Sequence, residues 1–197
     1  MTFILASTSA TRQRVLRDAG LFFSVEAPGV DEHAAKLEMR ADAMAPREQA
    51  AALAALKALA VSEKQPKALV IGADQMLAID HDVLDKPRDM AEARAHLQRL
   101  RGRHHELVTS IVAARGGAVI WRHTEAPRLK MRAFSDTFLN LYLQEVGTAA
   151  LQSVGAYQLE GLGAQLFERV EGDFFAVLGL PLLPLMAFLR EQGMAPQ

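Results

Sequence analysis

Ser7, Arg12, Lys57, Asp74 and Lys86 have the side-chain types needed to hold phosphate and activate water. Ser7-Thr8-Ser9 sits between an apolar run, Phe3 to Ala6, and a segment with helical spacing that carries Arg12 and Arg14. A helix N-terminus leaves backbone N–H groups unpaired and carries partial positive charge. Hydroxyls before it and arginine in its first turn make a site shaped for phosphate. The plainer alternative is that Ser9 only caps the helix and the arginines face solvent. Asp74 follows an apolar strand through Gly72-Ala73, whose small size lets a ligand or another chain segment approach. A carboxylate at a buried strand end is costly unless it is paired, bound to metal or functional. Otherwise it is a structural aspartate bonded to loop N–H groups.

Three features bear on that choice. A turn at Asp80-His81-Asp82 would return the chain so that Lys86 lies alongside Asp74, Gln75 and Met76. Pro87 fixes the backbone just after that lysine. Arg12, Lys57 and Lys86 lack an obvious local partner in the sequence. An acid among several cations, near an anion site, suggests a polyphosphate with a divalent metal, Mg²⁺ or Mn²⁺. Solvent-exposed lysines are the alternative. Asp31 and Glu32 read as paired loop acids, either holding the metal with Asp74 or lying on the surface. The glycine-framed loop Gly155 to Gly161 offers Gln158 and Glu160 for a base edge and Tyr157 for stacking, or is an ordinary turn.

These residues need elements to position them. The pattern predicts strands at 3–7 and 21–27, a helix over 10–19 ending at Gly20, and a loop at 28–32. Pro46 opens an alanine-rich helix reaching about Val61, with Lys57 beside its apolar stripe. A strand from Ala68 leads into Gly72 to Gln75, continues to Ile79 and returns through Val83-Leu84. Asp89 caps a helix with Glu92 in a capping box, ending near Gly102. Strands are expected at 105–113, 118–121, 129–133, 164–170 and 174–178, a helix after Ser135, and a last helix from Pro181 to about Glu191. Helices and strands intermix without strict alternation, which predicts an α/β fold with a mixed sheet and flanking helices. No repeat or linker is visible, so residues 1–197 read as one domain with two lobes.

Composition excludes several classes. With 22 basic and 23 acidic residues the net charge is −1, so a nucleic-acid polymer is not the expected partner. No cysteine is present, which rules out disulfides and thiolate metal sites and fits a reducing, cytoplasmic compartment. The longest uncharged run, Phe174 to Leu189, is short for a bilayer span and is interrupted by Gly179, Pro181 and Pro184, so no membrane association is expected. His104-His105 has no partner at zinc spacing. P-loop, dinucleotide and nucleophile-elbow motifs are absent.

Taken in order, a set of short motifs goes further. Leu5-Ala6-Ser7-Thr8-Ser9 with Arg12 is followed by Val30-Asp31-Glu32, by Lys57, by Gly72-Ala73-Asp74-Gln75 and by Lys86-Pro87. Gly102-Arg103 with His105 and Thr109, Gly155-Ala156-Tyr157 through Glu160-Gly161, Phe167 to Asp173 and Gly179-Leu180-Pro181-Leu182 complete it. In this order and spacing the chain resembles the Maf family of nucleotide pyrophosphatases, nearly end to end. The resemblance implies an elongated α/β fold with a cleft between two lobes, and hydrolysis of nucleoside triphosphates to the monophosphate plus pyrophosphate. It implies Asp74 as catalytic acid, Ser7, Arg12, Lys57 and Lys86 as phosphate-handling residues, and Glu32 with Asp74 as metal ligands. Removal of non-standard nucleotides is the implied role, and a homodimer is a common arrangement in families of this look. Thr11, Gln75 and Glu160 occupy the positions linked to base choice. Gln75 and Glu160 resemble the branch acting on 7-methyl-GTP, whereas Thr11 stands where that branch has tryptophan and the dTTP/UTP branch arginine. Ala10 stands in place of the usual proline and Asp85 in place of the usual glycine. Two other readings fit the same residues: a non-catalytic nucleotide-binding regulator of cell division, and a phosphatase releasing orthophosphate.

Overall fold

The structure is a computed structural model that describes residues 2–196. It is a mixed α/β fold whose eight-stranded sheet runs β2-β1-β3-β5-β7-β8, with β4 paired to β3 and β6 to β5. The chain forms two compact units: one from residues up to Gln75, Thr109–Glu125 and the residues from Asp173 on, the other from Met76–Val108 and Ala126–Gly172.

In the first unit, β1 (Phe3–Ala6) pairs in parallel with β2 (Phe23–Val25) and with the start of β3 (Val70–Ile79), in the registers Phe3↔Phe23 and Ile4↔Val70. Helix α1 (Ala10–Asp18) makes the β1–β2 crossover, and Ser9 caps it by accepting from Arg12 N at 3.4 Å. Between β2 and β3 lie α2 (Glu32–Ala41) and α3 (Pro46–Ser62). The α2 helix was not expected. Of the two expected loop acids, Asp31 ends the loop and caps α2 by accepting from Ala34 N at 2.9 Å, whereas Glu32 is the helix's first residue. No α2 residue is fully buried, although its apolar side chains gather on one face.

Period-2 alternation sorts the sheet's side chains onto two faces. Phe3, Leu5, Ile71, Ala73, Ile111 and Ala113 pack with Val15 and Leu16 of α1 and with Leu185, Phe188 and Leu189 of α7 (Leu182–Glu191). The intervening residues face α3. Ala6 and Val70 meet Val61, while Val112 and Ala114 of β5 (His104–Arg115) meet Ala54 and Ala58. Strand β6 (Ala118–Glu125) pairs with β5 through Thr109↔Glu125 and Ile111↔His123. The expected strand at 174–178 is instead a short helix, α6 (Phe174–Val177), capped by Asp173 accepting from Ala176 N at 2.6 Å. A short apolar run does not separate strand from buried helix, and here the cap decides.

In the second unit, β3 continues into a hairpin with β4 (Asp82–Leu84), and Asp80 in the turn takes φ 55°. Helix α4 (Met90–Leu100) is capped by Asp89, which accepts from Glu92 N at 2.8 Å, but the expected box does not close, because the Glu92 carboxylate accepts from Arg88 N at 2.7 Å and not from Asp89 N. Strand β7 (Arg128–Met131) pairs with β5 and with β8 (Phe167–Glu171), and Ser135 caps α5 (Asp136–Val146). The strand expected from Ala164 starts only at Phe167, because Leu162–Leu166 form a 3-10 turn. Among the described residues no helix is long and apolar enough to cross a membrane.

Candidate active site

The β1–α1 junction holds its polar groups in fixed roles. Ser7 is buried, and its Oγ accepts from Ser9 N at 3.3 Å and from Arg12 Nη1 at 3.2 Å. With both lone pairs engaged, the hydroxyl can act on a ligand only as a donor. Arg12 Nε donates to Gly179 O at 2.8 Å, which fixes the plane of the guanidinium. Burial pulls the Arg12 pKa below its ordinary value, opposed by the charges of Asp74 and then Glu32. The group remains a cation whose field reaches both carboxylates. Thr11 is half-buried beside it on α1.

Lys57 sits between two acids. Its Nζ lies 2.7 Å from Asp74 Oδ1 and 2.8 Å from Glu32 Oε2, and the Lys57 and Asp74 side chains are each only 7% exposed, against 43% for Glu32. Gly72 makes this geometry possible. A Cβ at that position would lie 2.3 Å from Ala54 O and 2.7 Å from Ala58 N, so only glycine lets the α3 backbone rest on β3. The small residues before Asp74 therefore admit a neighbouring helix, the second of the two options the sequence left open. By alternation Asp74 shares the α3 face with Gly72, and Lys57, next to Ala58, reaches it across that contact. The buried Oδ2 of Asp74 has no hydrogen-bond partner among the described residues. A buried carboxylate oxygen left bare is costly and suits a ligand that supplies positive charge or a proton.

Gln75 and Thr109 lie on the opposite face from Asp74. Gln75 Nε2 donates to Thr109 Oγ1 at 2.8 Å, Ala176 O at 3.0 Å and Val177 O at 3.1 Å. Fully buried Thr109 donates in turn to Ala176 O at 2.8 Å. Thr109 entered the sequence reading only as part of a motif. The signal that could have marked it is its polar side chain two residues before Ile111, on a face that is otherwise apolar. Gly179 takes φ +89°, and a Cβ there would come within 3.5 Å of the Arg12 guanidinium and 3.8 Å of Gln75 Oε1.

Lys86 and Glu160 belong to the second unit and are both exposed. The β3–β4 ladder runs from Ile79↔Asp82 to Leu77↔Leu84 and stops there. Lys86 lies two residues beyond the last pair of that ladder. Glu160 lies within a tightly closed loop in which Gly155 takes φ +78° and Gly163 sits so close to Gln158 that a Cβ would lie 2.3 Å from its carbonyl oxygen. Tyr157 does not offer its ring for stacking on a base. It is 4% exposed, contacts the rings of His105 and Phe167, and its hydroxyl lies 2.7 Å from His105 Nε2. Burial, helped by the neighbouring His104, pulls His105 down to about 4, and burial raises Tyr157 well above its usual value.

The first unit thus brings together Ser7 with Arg12, and Glu32 with Lys57 and Asp74. Among the described residues no group of three or more His, Asp or Glu is placed to hold a metal ion. Asp74 and Glu32 supply hard oxygen donors and Asp74 Oδ2 is bare, which fits Mg²⁺ or Mn²⁺ held by two carboxylates together with substrate phosphate.

The family model described as "Maf-like protein" matches residues 2–192. A protein of Paramagnetospirillum magneticum named nucleoside triphosphate pyrophosphatase is 55% identical, over 96% of this chain and 98% of its own. One of the same name from Granulibacter bethesdensis is 50% identical over 97% of both chains. A protein of Rhizobium meliloti named 7-methyl-GTP pyrophosphatase is 48% identical over 96% of both.

Proposed function

The chain belongs to the Maf family, and on that premise we propose that it hydrolyses a nucleoside triphosphate to the monophosphate and pyrophosphate. The observation that carries this reading is Lys57, buried between Asp74 and Glu32, beside an Asp74 oxygen that nothing in the described chain satisfies.

Water attacks the α-phosphorus, the bond from that phosphorus to the α–β bridging oxygen breaks, and pyrophosphate leaves. Asp74 accepts the proton of the attacking water. Its Oδ1 is held by Lys57, which leaves Oδ2 as the oxygen available to take that proton. Lys57 and Arg12 place fixed positive charge where negative charge grows on the phosphate oxygens. Ser7 donates its hydroxyl proton to a phosphate oxygen, as its two engaged lone pairs require. Asp74 and Glu32 would hold the divalent metal, which supplies charge neutralisation on the phosphates. Lys86 and Glu160 keep the phosphate and base roles that the sequence resemblance implies. For the base, the relatives' names range from the general to 7-methyl-GTP. Glu160, whose carboxylate can accept from two donors at once, favours a guanine-type base over thymine.

The test is a panel of natural and methylated nucleoside triphosphates with Mg²⁺ or Mn²⁺ and identification of the released ion. Pyrophosphate with a stoichiometric monophosphate is expected. Orthophosphate as the first product, or nucleotide-raised melting without turnover, would overturn the reading.

A further inference from the structure

The Gln75 amide can be oriented in only one way. Its nitrogen lies within hydrogen-bond distance of the carbonyl oxygens of Ala176 and Val177, which only accept. Thr109 Oγ1 spends its own proton on Ala176 O, so towards Gln75 it also only accepts. A flipped amide would set an oxygen against three acceptors. With the nitrogen committed, Gln75 offers a ligand its Oε1 alone, near the space that Gly179 leaves beside Arg12. The sequence credits Gln75 with both a donor and an acceptor; the fold removes the donor.

Thr109 does two things in this arrangement. It makes the shortest of the three bonds to Gln75 Nε2, at 2.8 Å, and it ties the Ala176–Val177 turn to β5. The two carbonyls hold the amide's direction, and Thr109 holds the Ala176 carbonyl. Buried, uncharged and on the sheet's inner face, it is placed to act through Gln75 and not on the phosphates.

We propose that Thr109 is a specificity-determining positioning residue: by locking Gln75 with its oxygen outward, it makes the site select a nucleobase that donates a ring N–H over one that presents a bare ring nitrogen. Guanine N1–H and uracil N3–H donate, whereas adenine N1 and cytosine N3 accept and would meet Oε1 as a second acceptor. The proposal rests on the hydrolase reading and on Gln75 as a substrate-facing residue.

Two variants test it, Thr109→Val, which keeps the shape and removes the hydroxyl, and Thr109→Ser, which keeps the hydroxyl. Pyrophosphate release is measured from GTP, UTP, ATP and CTP, with melting to confirm folding. Side-chain amide exchange of Gln75 is followed by NMR, the signal being identified by its loss in Gln75→Glu. Wild type should favour GTP and UTP over ATP and CTP by about 10-fold or more in kcat/KM. Thr109→Val should shrink that ratio about fivefold, the effect of one neutral hydrogen bond, and speed amide exchange, while Thr109→Ser restores both. A wild type that prefers ATP or CTP overturns the proposal, as does a Thr109→Val with unchanged ratio and slow exchange. Wild type releasing no pyrophosphate from any nucleotide overturns the hydrolase reading and the selectivity built on it, while the exchange data still decide whether Thr109 locks the amide.

Discussion

Lys57 with Asp74 in the first unit and His105 with Tyr157 in the second are buried polar pairs of opposite kinds. Lys57 and Asp74 are each 5% exposed and meet at 2.7 Å as cation and carboxylate. His105 and Tyr157 are 2% and 4% exposed and meet at the same distance. Their titrations are pushed apart, His105 down and Tyr157 up, so both stay neutral. A buried hydrogen bond between neutral groups satisfies the interior at little cost. A buried ion pair recovers only part of its desolvation cost, and apolar residues of similar size stabilise as well or better. The second unit therefore uses polarity to fix a loop, whereas the first unit keeps a charge that stability alone would not select. Each pair leaves one buried atom without a hydrogen-bond partner among the described residues, Oδ2 of Asp74 and Nδ1 of His105, so the two differ in charge and not in satisfaction.

The largest effect expected from breaking this contrast is at Lys57. Lys57→Met strips Asp74 of its partner and should cost about 3–5 kcal/mol in urea unfolding, with activity lost. Nearly all of that belongs to the Asp74 arm, since Glu32 is 43% exposed and its pairing is screened. The double variant Lys57→Met/Asp74→Leu should recover wild-type stability or more while remaining inactive. If the single variant were as stable as wild type, the pair would not be the buried charge described above.

Asp74→Asn separates charge from structure more finely. The amide oxygen can still accept from Lys57, so the fold should hold, but the proton acceptor is gone. A fall in kcat of about 100-fold or more is expected in a variant that still folds, with a loss of stability smaller than that of Lys57→Met because the hydrogen bond remains. Near-normal turnover would take Asp74 out of the chemistry and leave it a structural partner of Lys57.

The same contrast explains what the sequence disclosed. Strands, most helices and the mixed α/β class were legible because alternation and caps are local: Ser9, Asp89 and Ser135 all cap where expected. Helix α2 was missed because its cap, Asp31, read as a loop acid, and none of its residues is fully buried. The strand expected at 174–178 failed because four apolar residues carry no period. Among the candidate residues, the chain position of Lys57 gave no sign that it is buried, because the contact depends on Gly72, fifteen residues on, admitting α3. Gln75 was visible, but its committed nitrogen was not, since two of its three partners are backbone carbonyls whose side chains are irrelevant. Tyr157 was read as exposed because a glycine-framed loop looks like surface. Here Gly155 and Gly163 serve close packing instead.

The smallest effect tests the neutral pair. His105 titrates at about 4 in the folded chain, against about 6.5 for an unperturbed histidine. Below pH 6.5 the unfolded chain takes up a proton that the folded chain refuses. His105 therefore contributes its full stability above that pH, loses it as the pH falls, and has lost all of it once the folded form protonates near 4. By pH 5 the loss should be roughly 2 kcal/mol relative to pH 7. Carboxylates titrate over part of the same range, so the wild-type curve alone does not isolate the histidine. His105→Gln keeps a polar group opposite the Tyr157 hydroxyl and does not titrate. Its urea stability between pH 7 and 5 should fall less steeply than wild type by that amount, with the two curves converging at low pH. Parallel curves for His105→Gln and wild type would mean that His105 accepts a proton without cost, and the second unit would then tolerate buried charge as the first does.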